Sequence, residues 1–418
     1  SNANVVYEYA PGGSSLGEGN LVVPAAKPQY GGTVIVGLEA EAVGLRPWED
    51  ACASSCYTML GQLFDPLLRQ AKSGAYLPWI AESVVPNDDF TVWTVTLRSG
   101  VTFHNGKALT GQTYEDMFTI QQTGASSAGA IATTGLISVE ATGDLTIDYT
   151  LSATNVAFPS FLEAAPLGYA FDPEAAADPT AFNANPIGTG AFMMDSRDID
   201  NETILVRNPN YWLSINGRQL PYLDGISYRP IPDETTRLAS LASGTTSAME
   251  SRRQATVRDA RSLEGVTLYE FQGNDSGGGH FNAQVPPYDD VRVRRGLILA
   301  QNQEAVIEAL GGAGISSPVT QFFSVDSPWW SQAVADAYPA FDFDAGVALL
   351  QEYVDDPARP PERRSRWIWH ARWTQRLSQR RRLAASCGQR PDSSTSTSTR
   401  QTTSRPTSTS LWESAMVS

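Results

Sequence analysis

The most constraining feature of this sequence is the place where its patterning ends. Up to Asp356 the chain carries alternating or helically spaced apolar runs. From Pro357 onward it reads PARPPERRSRWIWHARWTQRLSQRRRLAASCGQRPDSSTSTSTRQTTSRPTSTSLWESAMVS, with no sustained strand or helix period. That segment holds twelve Arg, no Lys and three acidic residues (Glu362, Asp392 and Glu413), a net charge near +9. Residues 1–356 therefore stand at −24, against −15 for the whole chain. The segment has no Phe or Tyr and its second half is Ser/Thr repetition, so it can bury little apolar surface. Two readings are open: a basic arm with interleaved aromatics that touches nucleic acid or an acidic surface, or a stretch without an evolved fold, such as a shifted reading frame produces. The expectation taken here is the second, with residues 357–418 unfolded. At the other end, Ser-Asn-Ala reads as the scar of a cleaved expression tag. NVVYEYAPGGSSLGEGNLVVPAAKPQ (residues 4–29) reads as a flexible leader, so residues 1–29 are set apart. What remains has room for two or three domains and a sizeable core.

A body this acidic argues against nucleic acid or an anionic membrane surface as its partner. No apolar run approaches the roughly 18 residues of a membrane helix. Cys52 and Cys56 sit in CASSC with no further Cys or His beside them, and His104, His280 and His370 are far apart, so neither a metal nor a cofactor is expected. The two cysteines either form a local disulfide, as an oxidising compartment permits, or remain buried thiols. Cys387 has no obvious partner.

Strands and helices alternate along the body, which predicts a mixed α/β fold. GGTVIVGLEA is a β-branched strand after a Gly pair. TVWTVTLRS places Trp93, Val95 and Leu97 on one face and Thr94, Thr96 and Arg98 on the other, a half-buried strand; DLTIDYTL alternates likewise. ETTRLASLASG puts Leu238 and Leu241 on one helical face and closes on Gly244. DVRVRRGLILAQNQEAVIEALGG reads as one long helical stretch ending at Gly311.

The stretch from Leu97 to Phe118, LRSGVTFHNGKALTGQTYEDMF, tests a phosphate-loop reading. That motif needs Gly, four residues, Gly, Lys and then Ser or Thr. Here five residues separate Gly100 from Gly106–Lys107, and Ala108 follows. The simpler reading is a scaffold: Asn105–Gly106 turns the chain, and Thr110 or Thr113 caps a helix carrying Glu115 and Asp116 in its first turn. His104 is then a hydrogen-bonding turn residue rather than a catalyst. No Gly-x-Ser-x-Gly elbow, His-Glu-x-x-His motif or dinucleotide glycine fingerprint occurs. The carboxylate pairs Asp88–Asp89 and Asp289–Asp290 fall in turn-like contexts that suit caps, so no enzyme is expected.

Seven segments in order carry a resemblance: YGGTVIVGLEAEAVGLRPW, LFDPLL, YLPWIAESVVPNDDFTVWTVTLRSGVTFHNGKALTG, NPIGTGAFMM, VRNPNYW, LPYLDGISYRPIPDETTRLASLASG and FNAQVPPYDDVRVRRGLILAQNQEAVIEAL. They resemble the extracellular solute-binding proteins of ABC importers, family 5, the group that takes oligopeptides, dipeptides and nickel chelates. The resemblance implies a two-lobe periplasmic-binding-protein-like fold (class II) with an extra subdomain in the first lobe. Mapped onto this chain, residues 30–60 and 183–272 form the first lobe, 61–182 the inserted subdomain and 273–356 the start of a second lobe, which looks incomplete. It further implies capture of a small polar solute, an oligopeptide or peptide-like compound, and its delivery to an ABC import permease. The alternatives are a sensing or adhesion module on the same scaffold, or a secreted hydrolase. The expected protein is a monomer, extracellular or periplasmic, and tethered by a lipid anchor. The ligand-binding candidates are Glu39 and Glu41 after the first strand, Tyr57, and His280, Phe281 and Asn282 in the crossing segment GGGHFNAQ, where Gly277, Gly278 and Gly279 allow close backbone approach.

Overall fold

The alternating run at 92–97 makes a strand whose inward residues Trp93, Val95 and Leu97 are buried, while Thr94 and Thr96 face outward. The computed structural model describes residues 7–8, 29–71, 75–215, 217–270, 281–323, 325, 327 and 329–358; the expectation for the C-terminal segment lies outside these, apart from Pro357 and Ala358. The chain divides into two compact units, Ser1–Phe271 with Ala309–Ser316, and Gln272–Glu308 with Ser317–Ser418.

The first unit holds two five-stranded sheets. One is wholly antiparallel, in the order Tyr7–Glu8, Ala81–Pro86, Val92–Leu97, Thr146–Leu151, Leu136–Gly143. Residues 7 and 8 of the expected leader thus pair with the edge of this sheet, Tyr7 opposite Val84 and Glu8 opposite Ser83. The other sheet is mixed, in the order Ala248–Met249, Thr33–Leu38, Gly225–Pro230, Glu202–Arg207, Phe192–Asp198. Its second strand, Thr33–Leu38, runs parallel to both neighbours, and helix Glu234–Ala242 connects those two neighbours across it. One continuous apolar core underlies both sheets, from Leu38 to Tyr228.

Asp65 sits within this core, 1% exposed. Its Oδ1 accepts from Trp79 Nε1 (2.7 Å) and Tyr211 Oη (3.0 Å), its Oδ2 accepts from Trp212 Nε1 (3.0 Å), and Arg69 Nη2 stands 3.6 Å away. Burial pushes its carboxyl above the usual range, against the opposing pull of Arg69 and the three donors.

The 97–118 stretch is a scaffold. Gly106 takes φ +83 in the expected turn, and Lys107 Nζ reaches Asp172 (3.1 Å) and Glu174 (2.6 Å). Thr110 is the helix cap, in a reciprocal box with Thr113. The helix is Gly111–Gln121, so Glu115 and Asp116 fall in its second turn rather than its first; Glu115 instead accepts from the Ala141 amide (3.0 Å). His104 joins this segment to residues 188–190. Its Nδ1 accepts from the Gly188 amide (3.3 Å) and its Nε2–H donates to the Gly190 carbonyl (3.1 Å), which fixes a neutral ring.

In the second unit, helices Val291–Ala300 and Phe343–Asp355 pack through Gly296 and Gly346. A Cβ on Gly296 would stand 2.9 Å from the Gly346 carbonyl oxygen, so only glycine allows this approach. The long helical stretch expected over 290–311 is in fact two helices, Val291–Ala300 and Gln303–Ala309. Asn302 divides them by capping the second: its Oδ1 accepts from the Ala305 amide at 3.0 Å.

Burial lowers the His104 pKa from 6.5 to about 4. The unfolded chain therefore binds a proton that the folded chain refuses across this window, so stability is full above pH 6.5 and falls as pH drops toward 4. The loss should reach about 3 kcal/mol in urea titrations. A His104→Gln variant, less stable at neutral pH, should show a shallower slope over the same window.

Candidate functional site

Because Thr33–Leu38 is parallel to both neighbours, three strand ends emerge on one edge: Leu38 opposite Pro230, and Met249 opposite Gly37. In open α/β sheets, ligands gather at this carboxyl edge, where connections leave the sheet in opposite directions. Glu39 follows strand Thr33–Leu38 and is exposed. The next amide, Ala40, donates to Ser55 Oγ (3.3 Å) in the first turn of helix Ser54–Leu63. From the same helix Tyr57 stands 46% exposed, and Thr58 Oγ1 donates to Glu250 Oε2 at 3.3 Å. Glu250 follows the third strand and keeps 46% of its side chain exposed, with Arg252 at 3.6 Å. An exposed pair of that kind holds geometry weakly. The edge therefore presents carboxylates, a phenol and a hydroxyl, which suits noncovalent recognition of polar groups.

A buried charge fixes this edge from beneath. Arg237, on the crossover helix, is fully buried; its Nη1 donates to the Ile231 carbonyl (2.6 Å) and its Nη2 pairs with Glu234, whose other oxygen accepts from the Ser251 hydroxyl. Its stem lies under strand Thr33–Leu38, where a Cβ on Gly37 would meet Arg237 Cγ at 3.1 Å. One side chain thus ties down the ends of all three strands. Leu238 and Leu241, which share one helical face, are both half-buried, while Arg237 is enclosed.

The residues expected in the site fall into three groups. Glu39 and Tyr57 stand exposed at the edge. Glu41 is engaged inside the protein: its Oε1 pairs with Arg197 Nη2 (2.9 Å), its Oε2 accepts from the Asp200 amide (3.3 Å), and the same Nη2 donates to the Ala42 carbonyl (2.6 Å). The side chains of this pair are 6% and 13% exposed, which makes it a structural ion pair. In the second unit, His280 and the three glycines before it lie outside the described residues. Phe281 stacks on Tyr288 at 5.2 Å. Asn282 heads a turn, accepting from the Gln284 amide at its side chain (3.0 Å) and from the Val285 amide at its carbonyl (3.1 Å). The described part of the expected crossing strand is thus a turn, because the Asn side chain takes up the local amide. Cys52 and Cys56 are bonded in the structure, their Cα atoms 5.2 Å apart.

Glu250, Glu234 and Arg237 were missed in the sequence. The short strand Ala248–Met249 gives no periodic signal, though strand, helix and strand at this spacing form a βαβ unit that would have located Glu250. Among the described residues no group of three His, Cys, Asp or Glu side chains is disposed to hold a metal, and no helix is long and apolar enough to cross a membrane.

The Glu41–Arg197 pair gives a direct test of its role. Arg197→Met strands a buried carboxylate and should cost about 3 kcal/mol in denaturant unfolding. The double variant Arg197→Met/Glu41→Gln should recover part of that loss, which independent sites would not allow.

Residues 75–354 match the family described as Bacterial extracellular solute-binding proteins, family 5 Middle. The chain is similar to heme-binding protein A of Haemophilus influenzae, 30% identical over 281 residues, covering 61% of this chain and 50% of that protein. It is also similar to the dipeptide-binding protein of Escherichia coli, 31% identical over 143 residues, covering 34% of this chain and 26% of that protein. It thus spans half or less of the length of these curated relatives. Among solved structures, the periplasmic binding protein DppA of Helicobacter pylori, in complex with the peptide STSA, superposes with a TM-score of 0.66 at 22% identity, covering 78% of this chain and 66% of that one. The oligopeptide-binding protein AppA of Bacillus subtilis, in complex with a nonapeptide, gives 0.65 at 21%, covering 78% and 64%. These likenesses identify the fold as that of the periplasmic binding proteins, and the family match extends over both compact units. The chain belongs to the bacterial extracellular solute-binding proteins, family 5.

Proposed function

We propose that the protein captures a small polar solute, an oligopeptide or peptide-like compound, outside the cytoplasm and hands it to an ABC import permease. Family membership supports this reading, and the single observation that carries it is the carboxyl edge of the mixed sheet. There Glu39, Tyr57 and Glu250 meet solvent while the charges beneath them are buried and paired. Recognition by such an edge uses hydrogen bonds to the polar backbone of a peptide, and enclosure by a second lobe supplies the desolvation that strengthens them.

The lobes we propose follow the sequence: residues 30–60 and 183–272 for the first, 61–182 for the inserted subdomain and 273–356 for the start of the second. Glu39 and Tyr57 act from the first lobe, and His280, Phe281 and Asn282 from the second; Glu41 serves to hold the loop. The protein works as a monomer tethered to the membrane by a lipid anchor, and binds rather than transforms its solute.

Native mass spectrometry of the purified chain should show adducts that release as peptides on acidification. Calorimetry with a mixture of dipeptides and tetrapeptides should then give a heat of binding that Glu39→Ala weakens by roughly 1–2 kcal/mol, with little change in thermal midpoint because Glu39 is exposed. Absence of adducts and of any heat with the peptide mixture would rule out peptide capture by this chain.

A further inference from the structure

Helix Ser54–Leu63 carries Ser55, Tyr57 and Thr58 to the carboxyl edge, yet it begins on a poor cap. Its N-cap is Ala53, which has no side chain to satisfy the first free amides, and no acidic residue stands in the first turn. The helix is only ten residues long, and its large buried apolar side chains Met59, Leu60 and Leu63 lie in its second half, while the first turn buries only the small Ser55 and Cys56. The loop before it is anchored at Trp48, which is buried in the core, and by the Arg46–Asp50 pair (2.6 Å). After Asp50, Ala51 and Ala53 are exposed and only Cys52 is partly enclosed.

The disulfide stands where a cap is missing. Cys52 is the residue before the N-cap and Cys56 the third residue of the helix, so the bond joins one position of a hydrophobic staple to one position of a capping box and closes the first turn covalently. Cys56 is 3% exposed and its Sγ packs 3.2 Å from the Gly44 carbonyl oxygen, a contact rather than a hydrogen bond because the bonded sulfur has no proton, so the helix start lies against the loop that follows Glu39.

We propose that Cys52–Cys56 is a redox-sensitive pin: oxidised, it orders the first turn of this helix and the loop against it, and reduced, it releases them while the sheets stay folded. A thiolate of a dithiol reductant attacks the partly exposed Cys52 sulfur; Cys56 leaves as a thiolate and takes up a proton. The second thiol of the reductant then resolves the mixed disulfide, so the reductant ends as its own disulfide and the protein gains two thiols. The functional consequence, a solute edge formed only in an oxidising compartment, rests on the reading of that edge given above; the pin itself does not.

The test uses the full chain and no solute. Thiol labelling under denaturing, non-reducing conditions should modify Cys387 alone. Hydrogen exchange with and without dithiothreitol should then show the amides of Ala40, Tyr57 and Thr58 exchanging roughly ten- to thirtyfold faster after reduction, with those of Trp93, Val95 and Tyr149 unchanged. A Cys52→Ala/Cys56→Ala variant should exchange like the reduced protein whether or not dithiothreitol is present. Labelling of Cys52 or Cys56 before reduction, unchanged exchange at Ala40, Tyr57 and Thr58, or equal acceleration at the sheet amides would each overturn the pin. A pinned chain that nevertheless gave no heat with peptides would count against the peptide reading alone.

Discussion

Asp65 is the group on which the larger unit turns. A carboxylate so deeply enclosed is tolerable only when its oxygens are occupied, and the donors come from two separate places, Trp79 and the adjacent Tyr211 and Trp212, with Arg69 close by. Residue 65 follows the helix whose other end serves the candidate site. Trp79 precedes the antiparallel sheet, and Tyr211 and Trp212 follow the strand Glu202–Arg207 of the mixed one. Arg69 adds its guanidinium 4.1 Å over the Trp79 ring. One acceptor thus sets where two sheets and a helix meet. Removal of any donor leaves buried charge unmatched, whereas an apolar contact at the same place would tolerate sliding.

The same device recurs under the mixed sheet. Arg237 does for the strand ends what Asp65 does for the core: a fully buried ion is held by a carbonyl and one carboxylate, and it specifies a single arrangement. Such pairs are weak sources of stability, because desolvation offsets most of the attraction. Their contribution here is placement. Glu39 and Glu250 emerge from strands that meet only through nonlocal pairing, separated by more than 200 residues of chain, and a network anchored on Arg237 holds both ends in register.

Much of this fold was legible because burial imposes a period. Trp93, Val95 and Leu97 alternate since one face of their strand must be dry, and Ile147, Tyr149 and Leu151 do the same opposite them. Thr110 was readable as a cap because its hydroxyl competes for backbone amides wherever it stands. Asp65 and Arg237 could not be read this way. A charge in a sequence looks solvated, and only the arrival of distant partners makes its burial possible. The break at Asn302 was hidden for a related reason: the apolar spacing continues across it, so periodicity saw one helix where a local side-chain bond makes two. Glu39 stands exposed after its strand, whereas its neighbour Glu41, two residues on, is drawn inward by Arg197, 156 positions away.

The difference between Glu39 and Glu41 states the logic of the edge. Both carboxylates lie on one loop, and their intrinsic chemistry is nearly the same. What separates them is whether the folded protein has already supplied a partner. Glu41 receives a guanidinium and an amide, so a solute would have to displace interactions made in a low-dielectric place, where they are strongest. Glu39 meets water, whose replacement by a solute amide costs little. An edge built this way needs rigid, paired charges behind it and exposed ones in front; pairing both sets would leave nothing to offer a solute, and pairing neither would let the loop move. The short disulfide at the head of the adjoining helix fits the same logic, since it steadies the frame without occupying any polar group that a solute could use.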